Sequence, residues 1–202
     1  MFSSANKFLF VHIPKTGGNS IQSILSEYSD DYLDCPQPHH DGIDRFEVRN
    51  DNHQTHKHST LREYRDFYPL NVFDSLFKFT VIRNTYERLI SFYFSPHRGN
   101  ISWNKNEFID FIATVKPISH FIAFPAQSLE EGVRNVHFLI RHEYLSHDYK
   151  ELSGILKIKY TPLPHLNKST KRSFAEYYDN ETIKLVYECF REEIDYFNFP
   201  KP

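Results

Sequence analysis

The stretch that decides the fold is Lys7-Phe8-Leu9-Phe10-Val11-His12-Ile13-Pro14-Lys15-Thr16-Gly17-Gly18-Asn19-Ser20. Residues 7–13 are a short, largely apolar run, which reads as a buried strand. Pro14 to Gly18 is loop chemistry: Pro14 lacks a backbone donor, and the paired glycines leave the chain free to turn. From Asn19 onward Ile21, Ile24 and Leu25 share one face of an amphipathic helix. A strand, a glycine-bearing loop and a helix start in direct succession suit an anion. The first helical N–H groups have no intrahelical partner, and the helix dipole adds positive potential. Lys15 supplies a mobile cation, and Thr16, Asn19 and Ser20 supply hydrogen-bonding side chains. The same residues would also serve a plain strand–turn–helix connection, and spacing alone does not separate the two.

A second junction of the same kind follows downstream. Residues 76–82 read as another core strand, and Asn84 or Thr85 can cap a helix over 86–94, ended by Ser95-Pro96. Arg83 then stands at the carboxyl edge of its strand, where open α/β sheets bind ligands. Arg88 and Ser91, three apart, share a helix face, and an arginine with a serine hydroxyl suits a second phosphate. Taken singly, Arg83 would equally make a surface salt bridge to Glu87. Further elements are a short helix at Leu61–Phe67, a helix over 107–114 capped by Asn106, a strand at 136–140, and a core-packed helix at 181–195. Residues 30–52 are polar and read as a long loop. The alternation predicts an α/β, P-loop-like three-layer fold, with a mainly parallel central sheet flanked by helices in one domain over 1–202.

The order of residues in the first loop excludes a Walker A motif. That pattern places lysine after the last glycine, whereas Lys15 precedes Gly17 and Gly18. A P-loop kinase or NTPase would also need an acidic Mg²⁺ ligand at a strand end, where this chain offers Arg83.

His12 to Ser20 resembles the 5′-phosphosulfate-binding loop of the sulfotransferases that use PAPS (3′-phosphoadenosine-5′-phosphosulfate). Arg83 to Ser91 is similar to their 3′-phosphate-binding strand and helix, in the branch with the heparan 2-O type carbohydrate sulfotransferases and many bacterial relatives. Residues 56–60, 141–145, 163–169 and 177–179 continue the likeness in order along the chain. Asn19 replaces the usual threonine and Thr85 the usual proline.

The resemblance implies PAPS as donor, held by Pro14, Lys15, Thr16, Gly17, Gly18, Asn19, Ser20, Arg83 and Ser91, with Lys168, Ser169 and Lys171 closing over the nucleotide and PAP as product. It places His56 and His58 at a catalytic histidine pair, with His58 favoured as base, His56 assisting, and Lys15 stabilising charge on the leaving 5′-phosphate. The acceptor is then a hydroxyl, with a glycan expected, and Phe92, Tyr93, Phe94 and Trp103 offer rings that stack on sugars or pack in the core. Arg141 and Glu143 are expected to form a structural ion pair. A metal would have to use His39, His40, His53, His56 and His58 with Asp41 or Asp51, and none is assigned. A non-catalytic nucleotide- or glycan-binding module is the other alternative.

Bulk properties agree with this reading. The 202 residues suit one well-cored domain, with 40% hydrophobic content. A net charge of −2 argues against holding nucleic acid by bulk electrostatics. Cys35 and Cys189 form no CxxC pair or disulfide framework and are expected as buried or half-buried thiols. No apolar run approaches a membrane span or signal segment, so a cytoplasmic chain is expected, with homo-oligomerisation left open.

Overall fold

The computed structural model describes residues 1–35, 46–95, 98–99, 101–164 and 173–202. Among them one sheet runs in the order β1 (Phe2–Ser3), β2 (Phe8–Val11), β5 (Phe77–Ile82), β6 (Phe138–Arg141). The β2–β5 and β5–β6 pairs are parallel, and β1 adds to β2 antiparallel. Every residue of β2 is buried, as a parallel strand covered on both faces requires. Leu9 and Val11 pack with helices α2 (Leu61–Phe67), α3 (Leu70–Ser75), α6 (Ser119–Ile122) and α7 (Leu129–Arg134). Phe8 and Phe10 face the other way, toward α1 (Gly18–Leu25) and α8 (Leu145–Ile155). The period of two in β2 thus sets which helices lie on which side. The α/β architecture with helices flanking a mainly parallel sheet is as expected.

A third cluster joins α4 (Thr85–Tyr93), α5 (Lys105–Ile112) and α9 (Asn180–Phe197). Phe92, Tyr93, Phe94 and Trp103 all lie in it, with Tyr93 5.4 Å from both Trp103 and Phe108 between ring centroids. These rings build core, edge to face, which is the favoured aromatic geometry.

Several local expectations change. The segment over 30–52 is not all loop: β3 (Tyr32–Asp34) and β4 (Glu47–Arg49) pair antiparallel, and residues 36–45 lie outside the described residues. Helix α5 begins two residues early because Asn104, not Asn106, accepts from the Glu107 N–H as its cap. Cys35 and Cys189 are free and exposed rather than buried. Cys189 lies on the outer side of α9, whose inner side carries Val186 and Phe190. The Arg141–Glu143 pair does not form. Residues two apart do not face one another in such a turn, and Arg141 donates instead to the Phe197 carbonyl.

One buried ion pair stitches the layers together. Arg88, fully buried on α4, lies 3.6 Å from the Glu193 carboxylate of α9. Its Nε donates to the Pro14 carbonyl and its Nη2 to the Lys116 carbonyl. Glu193 accepts from the Thr85 hydroxyl and the Ile118 N–H. Arg88 therefore faces the backbone of the first loop, not solvent, which corrects its reading as a phosphate-facing partner of Ser91. Removing one partner leaves the other charge buried alone, so Arg88→Met or Glu193→Ala is expected to cost about 3–5 kcal/mol. Urea denaturation checks this; a loss no larger than that from breaking the exposed Arg191–Asp195 pair would show that the buried pair carries no such weight.

Candidate active site

The carboxyl ends of the three parallel strands bring the site together. Beyond β2 runs the loop from His12 to Gly17, beyond β5 stands Arg83, and beyond β6 stands His142. The loop is tightly wound. Lys15 has φ +69° and Gly17 φ +93°, and a non-glycine residue in that region costs energy that the surroundings must offset. The Thr16 hydroxyl donates to the Ile13 carbonyl, which fixes the turn from within. Gly17 precedes α1 with no side-chain cap among the described residues, and the first turn of α1 holds no acid. The Ser20 N–H turns back to the Gly17 carbonyl, while the first N–H groups of the helix, at Gly18 and Asn19, are left for a ligand or solvent, and the positive helix end is unneutralised.

Two glycines are required for different reasons. Gly17 adopts a left-handed conformation, and a Cβ there would approach the His142 ring to 3.1 Å. Gly18 has no such φ; a Cβ there would stand 2.3 Å from His12 Cδ2. The second glycine is thus a matter of space, not of backbone freedom.

Arg83 leans over this loop, its Nη1 donating to the Lys15 carbonyl and its Nε 3.2 Å from Glu87. Arg83 thus makes the expected salt bridge to Glu87 and also touches the loop. Ser91 is half-buried on α4, and no hydrogen bond ties it to the loop among the described residues. Lys168, Ser169 and Lys171 lie outside the described residues.

His58 reaches the loop from the segment before α2. Its Nδ1 is 3.0 Å from the His12 carbonyl. A carbonyl only accepts, so Nδ1 carries the proton and the lone pair is at Nε2. The neighbouring His56 accepts from the His58 backbone N–H at its own Nδ1, which places its proton on Nε2, 3.9 Å from Glu63. His58 is half-buried and His56 exposed. Burial pushes the His58 imidazole down to about 4; Lys57, His56 and Lys15 push the same way, against the hydrogen bond to His12. His142 is also lowered to about 4, by burial and then by Arg83. His12 falls well below the usual histidine value, chiefly through burial.

Beside His58 opens a cleft of about 980 Å³, whose walls include His56, Arg62, Glu63, Lys116, His120 and Phe124. The wall from residue 116 onward comes from a part of the chain that pattern reading had not singled out. No three His, Cys, Asp or Glu side chains gather as metal ligands among the described residues; the His53 ring packs at a tilt against Tyr68, 4.0 Å between centroids, and His39, His40 and Asp41 lie outside them.

A sequence model of the Sulfotransferase family matches residues 1–200. The chain belongs to the sulfotransferase family. No curated protein and no solved structure matches it. The family is one of enzymes that use PAPS, and membership implies sulfuryl transfer. The residues present fit that donor: an uncapped helix N-terminus, a lysine in the loop, an arginine at the next strand end, and a glycine where any Cβ would clash. No helix among the described residues is long and apolar enough to cross a membrane.

These three histidines, His12, His58 and His142, predict a pH dependence. Each is neutral when folded at pH values where the unfolded chain binds a proton, so stability is full above about 6.5 and is lost as pH falls toward 4. Urea midpoints measured from pH 7 to 4.5 should fall steadily, and less steeply in His142→Gln. An equal slope in that variant would mean His142 is not held neutral by the fold.

Proposed function

We propose that this sulfotransferase moves the sulfuryl group of PAPS to a carbohydrate hydroxyl by in-line displacement, with His58 as the base, within a single domain over 1–202. The observation that carries this is the fixed tautomer of His58. Its Nδ1–H is tied to the His12 carbonyl, so Nε2 is the ring's acceptor, and the ring both borders the cleft and lies near enough to Lys15 to feel its charge. A donor loop, a base and a cleft for the acceptor thus adjoin.

In this reading the N–H groups of the loop and α1, with Pro14, Thr16, Gly17, Gly18, Asn19 and Ser20, hold the 5′-phosphosulfate. Arg83 and Ser91, with Lys168, Ser169 and Lys171, hold the 3′-phosphate and nucleoside. His58 Nε2 takes the acceptor's hydroxyl proton as that oxygen bonds to sulfur. Lys15 balances the charge left on the 5′-phosphate oxygen as its bond to sulfur breaks. His56 accepts from the His58 backbone N–H and so orients the segment that carries the base. The cleft walls are mostly polar, with the Arg62–Asp66 pair at 3.5 Å and the one phenyl ring, Phe124, covered by Arg65 at 3.9 Å. Such a lining favours a polyhydroxylated acceptor over a flat phenol.

Calorimetry should show PAP binding at least about tenfold tighter than ATP, since two phosphate subsites act together. Equal affinity, or none for PAP, would overturn the assignment of the donor. Lys15→Ala and Arg83→Ala should each weaken donor use. His58→Ala should leave PAP affinity nearly unchanged while lowering transfer by about 10²–10⁴. Loss of PAP binding in that variant would place His58 in the donor site instead. Labelled sulfate offered from PAPS to glycans, phenols and peptides identifies the acceptor, and the acid limb of kcat/KM should lie well below pH 6.5, set by the imidazole near 4.

A further inference from the structure

His12 is an imidazole at the site to which the proposed chemistry gives no task. It is the first residue past β2 and is almost wholly buried. Its ring stacks on Phe10, with centroids 5.7 Å apart, and meets the His58 ring at 4.6 Å. Its Nδ1 is buried without a hydrogen-bond partner among the described residues. The opposite edge of the ring, Cδ2 and Nε2, fills the space that a Cβ of residue 18 would need, at 2.3 and 2.5 Å. Its carbonyl holds the His58 Nδ1. One residue thus touches the start of the anion-binding helix with its side chain and the base with both side chain and backbone.

We propose that His12 is a positioning residue that couples the anion-binding loop to His58, its ring setting the spacing between α1 and the base and its carbonyl setting the base's tautomer. The proposal rests on the reading of His58 as the base. A shift of α1 toward a bound anion must be felt by the His12 ring, because no slack lies between ring and Gly18. The ring in turn bears on His58, so the base and the donor loop move as one unit. Groups that face His58 are His12, Lys57, His56 and Lys15; those that face His12 are His58, Lys57, the Met1 amine and Gln22. The cations among them all disfavour protonation of the two rings, while Gln22 favours it on His12.

A double-mutant cycle on the full chain tests the coupling. Gly18→Ala alone should weaken PAP binding at least about tenfold, because the added methyl meets the His12 ring. In a His12→Ala background the same replacement should cost less than about threefold, since the ring that opposed it is gone. The His58 imidazole, followed by NMR, should titrate higher in His12→Ala than in the parent chain, and kcat should fall more than KM for PAPS rises. His12→Phe, which keeps the ring's bulk and the backbone carbonyl, guards against a His12→Ala chain that does not fold: it should keep kcat within about threefold of the parent and remain as intolerant of alanine at 18. Equal damage from Gly18→Ala in both backgrounds, an unmoved His58 titration in His12→Ala, or a His12→Phe chain as impaired as His12→Ala would each overturn the proposal. The cycle is read in PAP affinity and in NMR, and it can succeed or fail whatever His58→Ala does to transfer. A failure of His58 as base therefore shows separately.

Discussion

The rest of the structure depends on a guanidinium that never meets solvent. Arg88 holds the backbone of the first loop at Pro14 and the wall of the cleft at Lys116, while Glu193 beneath it holds Thr85 and the Ile118 N–H. Four parts of the chain that are far apart in sequence are thus fixed relative to one another by two side chains. Burying such a pair carries a large desolvation penalty. Burial lowers the pKa of Arg88 and raises that of Glu193, and their mutual attraction opposes both shifts. The geometry is tolerable because most of the pair's polar atoms are also hydrogen-bonded to backbone. What it achieves is registry: the first loop and the neighbouring cleft wall are tied to the same pair of side chains.

That registry matters because the loop itself is strained. Lys15 sits at a positive φ without the excuse of being glycine, and the Arg83 bond to its carbonyl and the Arg88 bond to Pro14 flank it on both sides. Tertiary bonds from α4 and the end of β5 hold a conformation that the local sequence would not choose. The result keeps Lys15 close enough to His58 to act on its charge, in the loop that leads into the uncapped end of α1.

How much of this was legible beforehand follows from what sequence patterns encode. Both strand–loop–helix junctions could be read because their signals are local: apolar runs, paired glycines, an Asn cap. The short helix read at Leu61–Phe67 is α2, and the helical spacing over 181–195 marks all but the ends of α9. Spacing, however, tells which residues share a helix face and not what that face meets. Arg88 and Ser91 do lie three apart, yet Arg88 turns inward because Glu193, more than a hundred residues later, waits there. The cleft wall at Lys116 and His120 and the short helices α3, α6 and α7 are defined by long-range packing, so no motif announced them. His12 was visible as the first residue of the loop motif, but its part depends on contacts to Gly18 and His58 that only the fold supplies.

The low proton affinity of the candidate base raises a question that the same geometry answers. An imidazole near 4 is a weaker base than a free one, and Brønsted behaviour would make it a poorer acceptor of a hydroxyl proton. But the shift arises largely from burial, with Lys57, His56 and Lys15 acting in the same sense. In the proposed complex an anionic donor lies against Lys15, and its charge counters those cations. The imidazole's proton affinity then rises above its value in the free chain, while burial still holds it below the usual range. A base kept neutral in the free chain and strengthened by its own donor needs no proton removed before it acts, and it is strongest when there is a sulfuryl group to move.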